Sequence, residues 1–234
     1  MKNVLISGAN RGIGLATAHT FKSAGFNVIA TARKDSDIEN LEKSGFTSFK
    51  LDVSNTTDID ALYTELKNNE ILPDILINNA GIAHLSLLSR MSENQLQSTL
   101  DVNLKGAMLL TKKFIRNMSK NKFGRVINVS SILSSLPQKG FAAYAASKAG
   151  LEAFSRVTAL EYADKGVTVN CVAAGFVNTD MIQNLSNASE LKAQIPIKSI
   201  AEANDIAESI FFLASQHNIT GEVLQSNGGL MMKP

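Results

Sequence analysis

A single α/β domain, built as a doubly wound parallel sheet of about seven strands with helices on both faces, is the fold this 234-residue sequence predicts. Three observations predict it. Helix-like stretches and short apolar β-rich runs alternate along the chain, as in successive βαβ units. The junctions between them are marked by glycine, at Ser23-Ala24-Gly25-Phe26, Lys43-Ser44-Gly45-Phe46 and Asp164-Lys165-Gly166. Glycine adopts positive φ cheaply, so it ends a helix and lets the chain turn back. No proline-rich or low-complexity stretch divides the chain, so residues 1–234 read as one domain.

Taken in order, the strands are short apolar runs bounded by turn residues. They are Asn3 to Ser7, Asn27 to Thr31, Ser48 to Leu51, Ile75 to Asn78, Arg125 to Val129, Thr168 to Ala173 and Glu222 to Gln225. Helices fill the intervals, the longest near Glu93 to Ser119 and Phe141 to Asp164. The polar segment from Thr179 to Ser199, with its lone Pro196, reads as a mobile flap carrying a short helix and as the candidate substrate flap.

Composition excludes several classes of function. A 44% hydrophobic and 19% charged chain is globular, and 23 basic against 21 acidic residues leave a net charge of only +2. So small an excess argues against a broad nucleic-acid footprint. One cysteine, Cys171, permits no intrachain disulfide; lying in an apolar run, it reads as a small buried residue. The apolar run after Met1-Lys2-Asn3 is too short for a secretory core or a membrane span, so a cytoplasmic location and no membrane partner are expected. His19, His84 and His217 are scattered, and no metal site is expected.

The first strand leads into Ser7-Gly8-Ala9-Asn10-Arg11-Gly12-Ile13-Gly14, which opens the first helix. Glycines here let the backbone turn sharply and approach a pyrophosphate, with the free N–H groups of the helix start facing it. At the tip of the second strand, Thr31-Ala32-Arg33-Lys34, a site for NAD would carry an acid for the ribose 2′-hydroxyl. The sequence has Ala32 there and Arg33 beside it. Arg33 and Arg11 would hold a 2′-phosphate, which favours NADPH over NADH. Solvated loop charges are the plain alternative for Arg33 and Lys34, and Asp35 lies one residue further on.

Tyr144 and Lys148 are four apart in a helical run and share a face. An ammonium beside a phenol favours phenolate, so such a tyrosine can give a proton to a carbonyl oxygen or take one back. Upstream, the strand Arg125 to Val129 runs into Ser130-Ser131, and strand ends in an open α/β sheet are where ligands bind.

These motifs together resemble the short-chain dehydrogenase/reductase family over nearly the whole chain. Ser7-Gly8-Ala9-Asn10-Arg11-Gly12-Ile13-Gly14 is similar to its Thr-Gly-x-x-x-Gly-Ile-Gly, with serine for threonine. Asn78-Asn79-Ala80-Gly81, Asn103-Leu104-Lys105-Gly106 and Tyr144-Ala145-Ala146-Ser147-Lys148 match its remaining signatures. The resemblance implies a Rossmann-type NAD(P)-binding catalytic domain. It implies Tyr144 as acid/base, and Lys148 as the group that holds the nicotinamide ribose and lowers the phenol's pKa. It implies Ser131 as the carbonyl ligand, thirteen residues before the tyrosine, with Ser130 turned away, and Asn103 as the anchor of a proton-relay water. It implies cofactor contacts at Gly8, Asn10, Arg11, Gly12, Ile13, Gly14, Arg33, Asp52, Val53, Asn79, Ala80 and Gly81. Further contacts are implied at Tyr144 and Lys148, and at Val177 and Thr179 after Ala174-Gly175, where alanine replaces the family's proline.

Within the family, Leu87-Leu88-Ser89-Arg90-Met91 and the C-terminal Ile219-Thr220-Gly221-Glu222 and Asn227-Gly228-Gly229 resemble members that reduce 3-oxoacyl thioesters in fatty-acid synthesis. That implies NADPH-dependent reduction of a 3-oxoacyl group on acyl carrier protein or CoA, with the acidic carrier docking near Lys122 and Lys165. It also implies a homotetramer, built on the small-residue helix from Phe141 and on an apolar contact at Phe211, Phe212, Leu213 and the last strand. Two other readings are an NAD(P)-linked alcohol, polyol or steroid dehydrogenase of the same family, and a non-catalytic cofactor-binding regulatory protein.

Overall fold

A computed structural model of the chain describes residues 1–179 and 192–232. Among them seven strands form one sheet: β1 (Asn3–Ile6), β2 (Asn27–Ala32), β3 (Thr47–Lys50), β4 (Ile75–Asn78), β5 (Gly124–Ser131), β6 (Val167–Ala174) and β7 (Val223–Ser226). Their order is β3-β2-β1-β4-β5-β6-β7, and every neighbouring pair is parallel. The direction of strand addition reverses between β1 and β4, which opens a crevice beyond their C-terminal ends.

The period-2 alternation of each strand explains why both faces are covered. In β1, Val4 and Ile6 point into one core with Ala18 and Phe21 of α1 (Gly12–Ser23), Leu41 of α2 (Asp35–Lys43), and Ile206, Ile210 and Leu213 of α7 (Ala203–Ser215). Leu5 points the other way, into a core built by α3 (Thr56–Asn68), α5 (Ala107–Lys120) and the end of α6 (Ala142–Tyr162). That second core takes Ile59, Leu62 and Leu66 from α3 and Leu110, Phe114 and Met118 from α5. A third, smaller cluster of Ile132, Leu133, Phe141, Phe176 and Ile195 sits apart from both.

The expected strands are all present, each within one or two residues of its expected ends. The expected helix from Glu93 to Ser119 is interrupted. α4 (Glu93–Leu100), started by a Ser92/Gln95 capping box, passes into a π-helical turn, Asp101–Gly106, before α5 resumes. Of the apolar contact expected at Phe211, Phe212 and Leu213, only Phe212 faces outward. Leu213 is in the core, and Phe211 packs edge-on against Phe21 and Phe26. Among the small residues of α6, Ala143 is buried and Gly150 seats Leu104 of the π turn, while Ala142 and Ala146 are exposed. The flap expected at 179–199 falls mostly on residues 180–191, outside the described residues. No helix among the described residues is long and apolar enough to cross a membrane.

Candidate active site

The crevice is walled on one side by the turn from β1 into α1. Gly8 (φ +67°) and Gly12 (φ +53°) occupy the left-handed region that other residues avoid. A Cβ on Gly14 would collide with the Gly8 carbonyl oxygen and stand 2.5 Å from Asn79 Nδ2, so the turn closes only on glycine. The turn is tied to the end of β4. Ser7 Oγ accepts from the N–H groups of Asn79 (3.0 Å) and Ala80 (3.1 Å), and Asn79 Nδ2 donates to the carbonyls of Ser7 (3.0 Å) and Gly8 (2.8 Å). Serine in place of threonine therefore keeps the hydroxyl that fastens the turn. Asn79 serves the turn with its side chain and can meet a ligand only by what remains.

The other expected cofactor residues surround this turn. Arg11 is exposed at the start of α1, Ile13 is half-buried against the first core, and Asn10 Nδ2 donates to Asp37 Oδ2 (3.1 Å). Arg33 is exposed just beyond β2. Asp35, the carboxylate that follows Arg33-Lys34, is drawn to the outer strand by Lys50 at 2.9 Å. Asp52 Oδ1 accepts from Ser54 N (2.9 Å) and Ser54 Oγ (2.6 Å). Val53 and Val177 are buried in the cores, which leaves them main-chain groups to offer a ligand. Thr179 Cγ2 lies 3.4 Å from where a Cβ on Gly12 would stand, so the segment after β6 caps the glycine turn. Ala174, standing where the family has proline, is held in register by Ser131 and Ser226 on its two sides.

The opposite wall brings the expected catalytic residues together. Ser131 ends β5, its Oγ accepting from Leu133 N (3.2 Å), and its hydroxyl lies close enough to the Tyr144 phenol to act against the rise in that phenol's pKa. Lys148, one turn along α6, is buried; its Nζ lies 5.7 Å from the Tyr144 ring and donates to the Val129 carbonyl (2.8 Å). A Cβ on Gly81 would stand 3.4 Å from Asn103 Oδ1 and 3.7 Å from Lys148 Nζ, so this loop bridges the two. Asn103 sits in the π turn with its amide fully engaged. Oδ1 accepts from Ile82 N (2.8 Å), and Nδ2 donates to Ile82 O (2.8 Å) and Ser147 Oγ (3.1 Å). π turns are rare and concentrate at functional sites.

The electrostatics depart from expectation in one respect. Burial raises the Tyr144 phenol above its ordinary value, and only the Ser131 hydrogen bond works against that. Lys148 does not offset this: its Nζ stands 5.7 Å from the Tyr144 ring and donates to the Val129 carbonyl. Lys148 itself is lowered to about 8 by burial, partly countered by Cys171 and Glu152.

Several residues behind the site were missed in the sequence. Ser130 is not simply turned away: its Oγ donates to the buried Glu152 carboxylate (2.6 Å), one turn beyond Lys148. Asn78 donates to Asn128 (2.7 Å), Asn128 to Ser155 (2.7 Å), and the Cys171 thiol to Ser155 (3.1 Å), a polar thread under the cleft. The signal available for Glu152 was its i, i+4 spacing from Lys148; the thread joins separate strands and has no local signature. Lys122 and Lys165 lie elsewhere, in the turns that lead into β5 and β6, at the N-terminal end of the strands and away from the cleft. Among the described residues, no group of three or more His, Cys, Asp or Glu could hold a metal.

A family model described as "Enoyl-(Acyl carrier protein) reductase" (adh_short_C2) matches residues 8–231. The 3-oxoacyl-[acyl-carrier-protein] reductase FabG of Salmonella typhimurium is 37% identical over 238 residues, covering 99% of this chain and 98% of the relative. That of Haemophilus influenzae is 39% identical over 238 residues with the same coverage. A solved structure, ElxO with NADP bound, superposes with a TM-score of 0.92 at 27% identity, covering 98% of each chain.

Proposed function

This chain belongs to the short-chain dehydrogenase/reductase family, and from that premise we propose that it reduces the keto group of a 3-oxoacyl thioester to the 3-hydroxyacyl thioester with NADPH. The observation that carries the reading is the meeting of the Ser131 hydroxyl and the Tyr144 phenol beside the buried Lys148 ammonium, opposite the glycine turn. The substrate class follows the FabG relatives, which match from end to end.

The residues fit a nicotinamide dinucleotide. The cradle left by Gly8, Gly12 and Gly14 is one any side chain would fill, and its free N–H groups at the start of α1 suit a pyrophosphate. Arg11 and Arg33 would take the 2′-phosphate, Asp52 and Val53 the adenine end, and Asn79, Ala80 and Gly81 the middle. Lys148 would hold the nicotinamide ribose, and Val177 and Thr179 the carboxamide. When bound, NADPH supplies the hydride. Ser131 and Tyr144 orient the substrate carbonyl by donating to its oxygen. Tyr144 passes its proton to that oxygen as charge develops there, and Lys148 stabilises the phenolate left behind. Asn103 fixes the π turn and, with its main chain, anchors the relay water that returns a proton towards Lys148.

The assembly is a cytoplasmic homotetramer. Its support is the outward apolar surface of the paired helices, with Leu160 84% and Val157 58% exposed on α6 and Met108 39% exposed on α5. Docking of an acidic carrier near Lys122 and Lys165 has a geometric condition. β5, eight residues long, separates that end of the strands from Ser131 by about 26 Å. A carrier bound there would serve the cleft of a neighbouring subunit.

The test is NADPH oxidation with acetoacetyl thioesters by the wild type and Tyr144→Phe. Turnover should fall by about 10²–10⁴-fold with NADPH affinity retained; unchanged turnover refutes the assignment.

A further inference from the structure

At the mouth of the cleft, the loop after β4 and the loop after β5 meet. Ser86 N donates to the Gly140 carbonyl (3.1 Å), and Gly140 (φ +88°) is close enough to Leu85 that a Cβ would stand 2.6 Å from Leu85 Cδ1. Between them lies a recess of about 350 Å³ lined by Leu85, Ser86, Leu87, Arg90, Lys139 and Gly140. Both of its charged residues are cations, and no carboxylate lines it. Among the described residues neither Arg90 nor Lys139 forms an ion pair. Leu85 and Leu87, 61% and 52% exposed, flank the cations with apolar surface. The recess opens next to the chemistry, because Phe141 directly follows Gly140 and packs edge-on against Tyr144 at 6.1 Å between ring centres.

We propose that this recess is an anion subsite that seats the phosphate of the substrate's carrier arm, with Arg90 and Lys139 on the phosphate and Leu85 and Leu87 along the stem. The chemistry is specific to an amphiphilic anion. A guanidinium offers a fork matched to phosphate oxygens, an ammonium adds a point charge, and leucines favour an uncharged chain. A free inorganic anion would leave the leucines unused, and a plain acyl chain would leave two cations without a partner. The inference rests on the thioester reading above, since both CoA and carrier-bound thioesters present the acyl group on a phosphate-bearing arm. It makes the two loops the part of the enzyme that selects for the arm rather than for the acyl group.

The experiment compares wild type, Arg90→Gln, Lys139→Ala and the double variant on three substrates. These are acetoacetyl-CoA, acetoacetyl carrier protein, and the acetoacetyl thioester of N-acetylcysteamine, which lacks phosphate. The expected result is a KM raised about tenfold or more in the double variant for the phosphate-bearing thioesters, with kcat and the kinetics of the truncated substrate unchanged. An effect on both carriers assigns the site to the shared arm. An effect on the carrier alone assigns it to the arm as the carrier presents it, whereas an effect on CoA alone places the anion at the nucleotide end and overturns the assignment to the arm. An equal rise for the truncated thioester, or none for any substrate, overturns the proposal. Failure of the wild type to reduce any of the three would instead fell the thioester reading, and the subsite with it. Both side chains are exposed, and unaltered NADPH binding and melting confirm that the variants are folded.

Discussion

The two rims of the cleft are built to opposite specifications. On the glycine-turn rim, Ser7 and Asn79 spend their side chains on main-chain groups across the gap between β1 and β4, so the rim is pinned from both sides. On the mouth rim, Leu85, Leu87, Arg90 and Lys139 are exposed, and one main-chain hydrogen bond joins the loops. The difference teaches where rigidity is placed. The wall that receives an invariant dinucleotide is preorganised, whereas the wall that meets a variable substrate keeps its polar groups uncommitted. Substitutions on the first rim should therefore damage folding and cofactor binding together, and those on the second should change KM alone.

The comparison would be broken most severely by Gly14→Ala. The new methyl has no room against the Gly8 carbonyl, so the turn must open. NADPH binding, followed by fluorescence titration, should weaken more than about 100-fold, with an overpacking cost of about 1–3 kcal/mol in stability. Asn103→Ala comes next. It strands the half-buried Ile82 N–H and carbonyl at about 1–3 kcal/mol, and a urea melt should show the loss alongside reduced kcat.

The third prediction concerns pH. Lys148 keeps its proton only to about pH 8 in the folded chain and to 10.5 in the unfolded one. Between those values the unfolded state binds more protons, so stability rises with pH, by up to about 3 kcal/mol across the window, and the burial penalty is complete below pH 8. Turnover should run the other way, falling as the ammonium is lost above about pH 8. A melt series and a kcat profile over pH 7–10, beside Lys148→Met, should show the two opposed trends, and the variant should lack both. The smallest effect is that of Glu152→Gln. Removing the carboxylate withdraws charge support from Lys148, so the alkaline limb should move to lower pH while Ser130 keeps an acceptor. The change in kcat at pH 7 should stay below about tenfold.

Much of this was legible in the sequence because it is local. Strands announced themselves by apolar runs, and the glycine turn and the Tyr144–Lys148 spacing each lie within one element or one junction. The π turn was hidden, since apolar residues continue through 93–119 at helical spacing and only Asn103-Leu104-Lys105-Gly106 marks the place. Glu152 was hidden because a helical glutamate ordinarily faces water, and its buried carboxylate is met by Ser130 from β5, distant in sequence. The direction of the Tyr144 shift was misjudged for a related reason. Sequence spacing reveals the neighbouring cation, but not the depth at which both groups lie or the Val129 carbonyl that occupies the ammonium.

One residue's worth of extra length at Asp101–Gly106 has a consequence for how this protein can vary. Each residue added to or removed from a helix turns everything beyond it by about 100°. Excising a single position from that turn would restore a regular helix with α4 and α5 still in phase, at the loss of the bulge that carries Asn103 to Ile82. A deletion within α5 would instead turn part of its apolar face, Leu110, Phe114 and Met118, off the sheet.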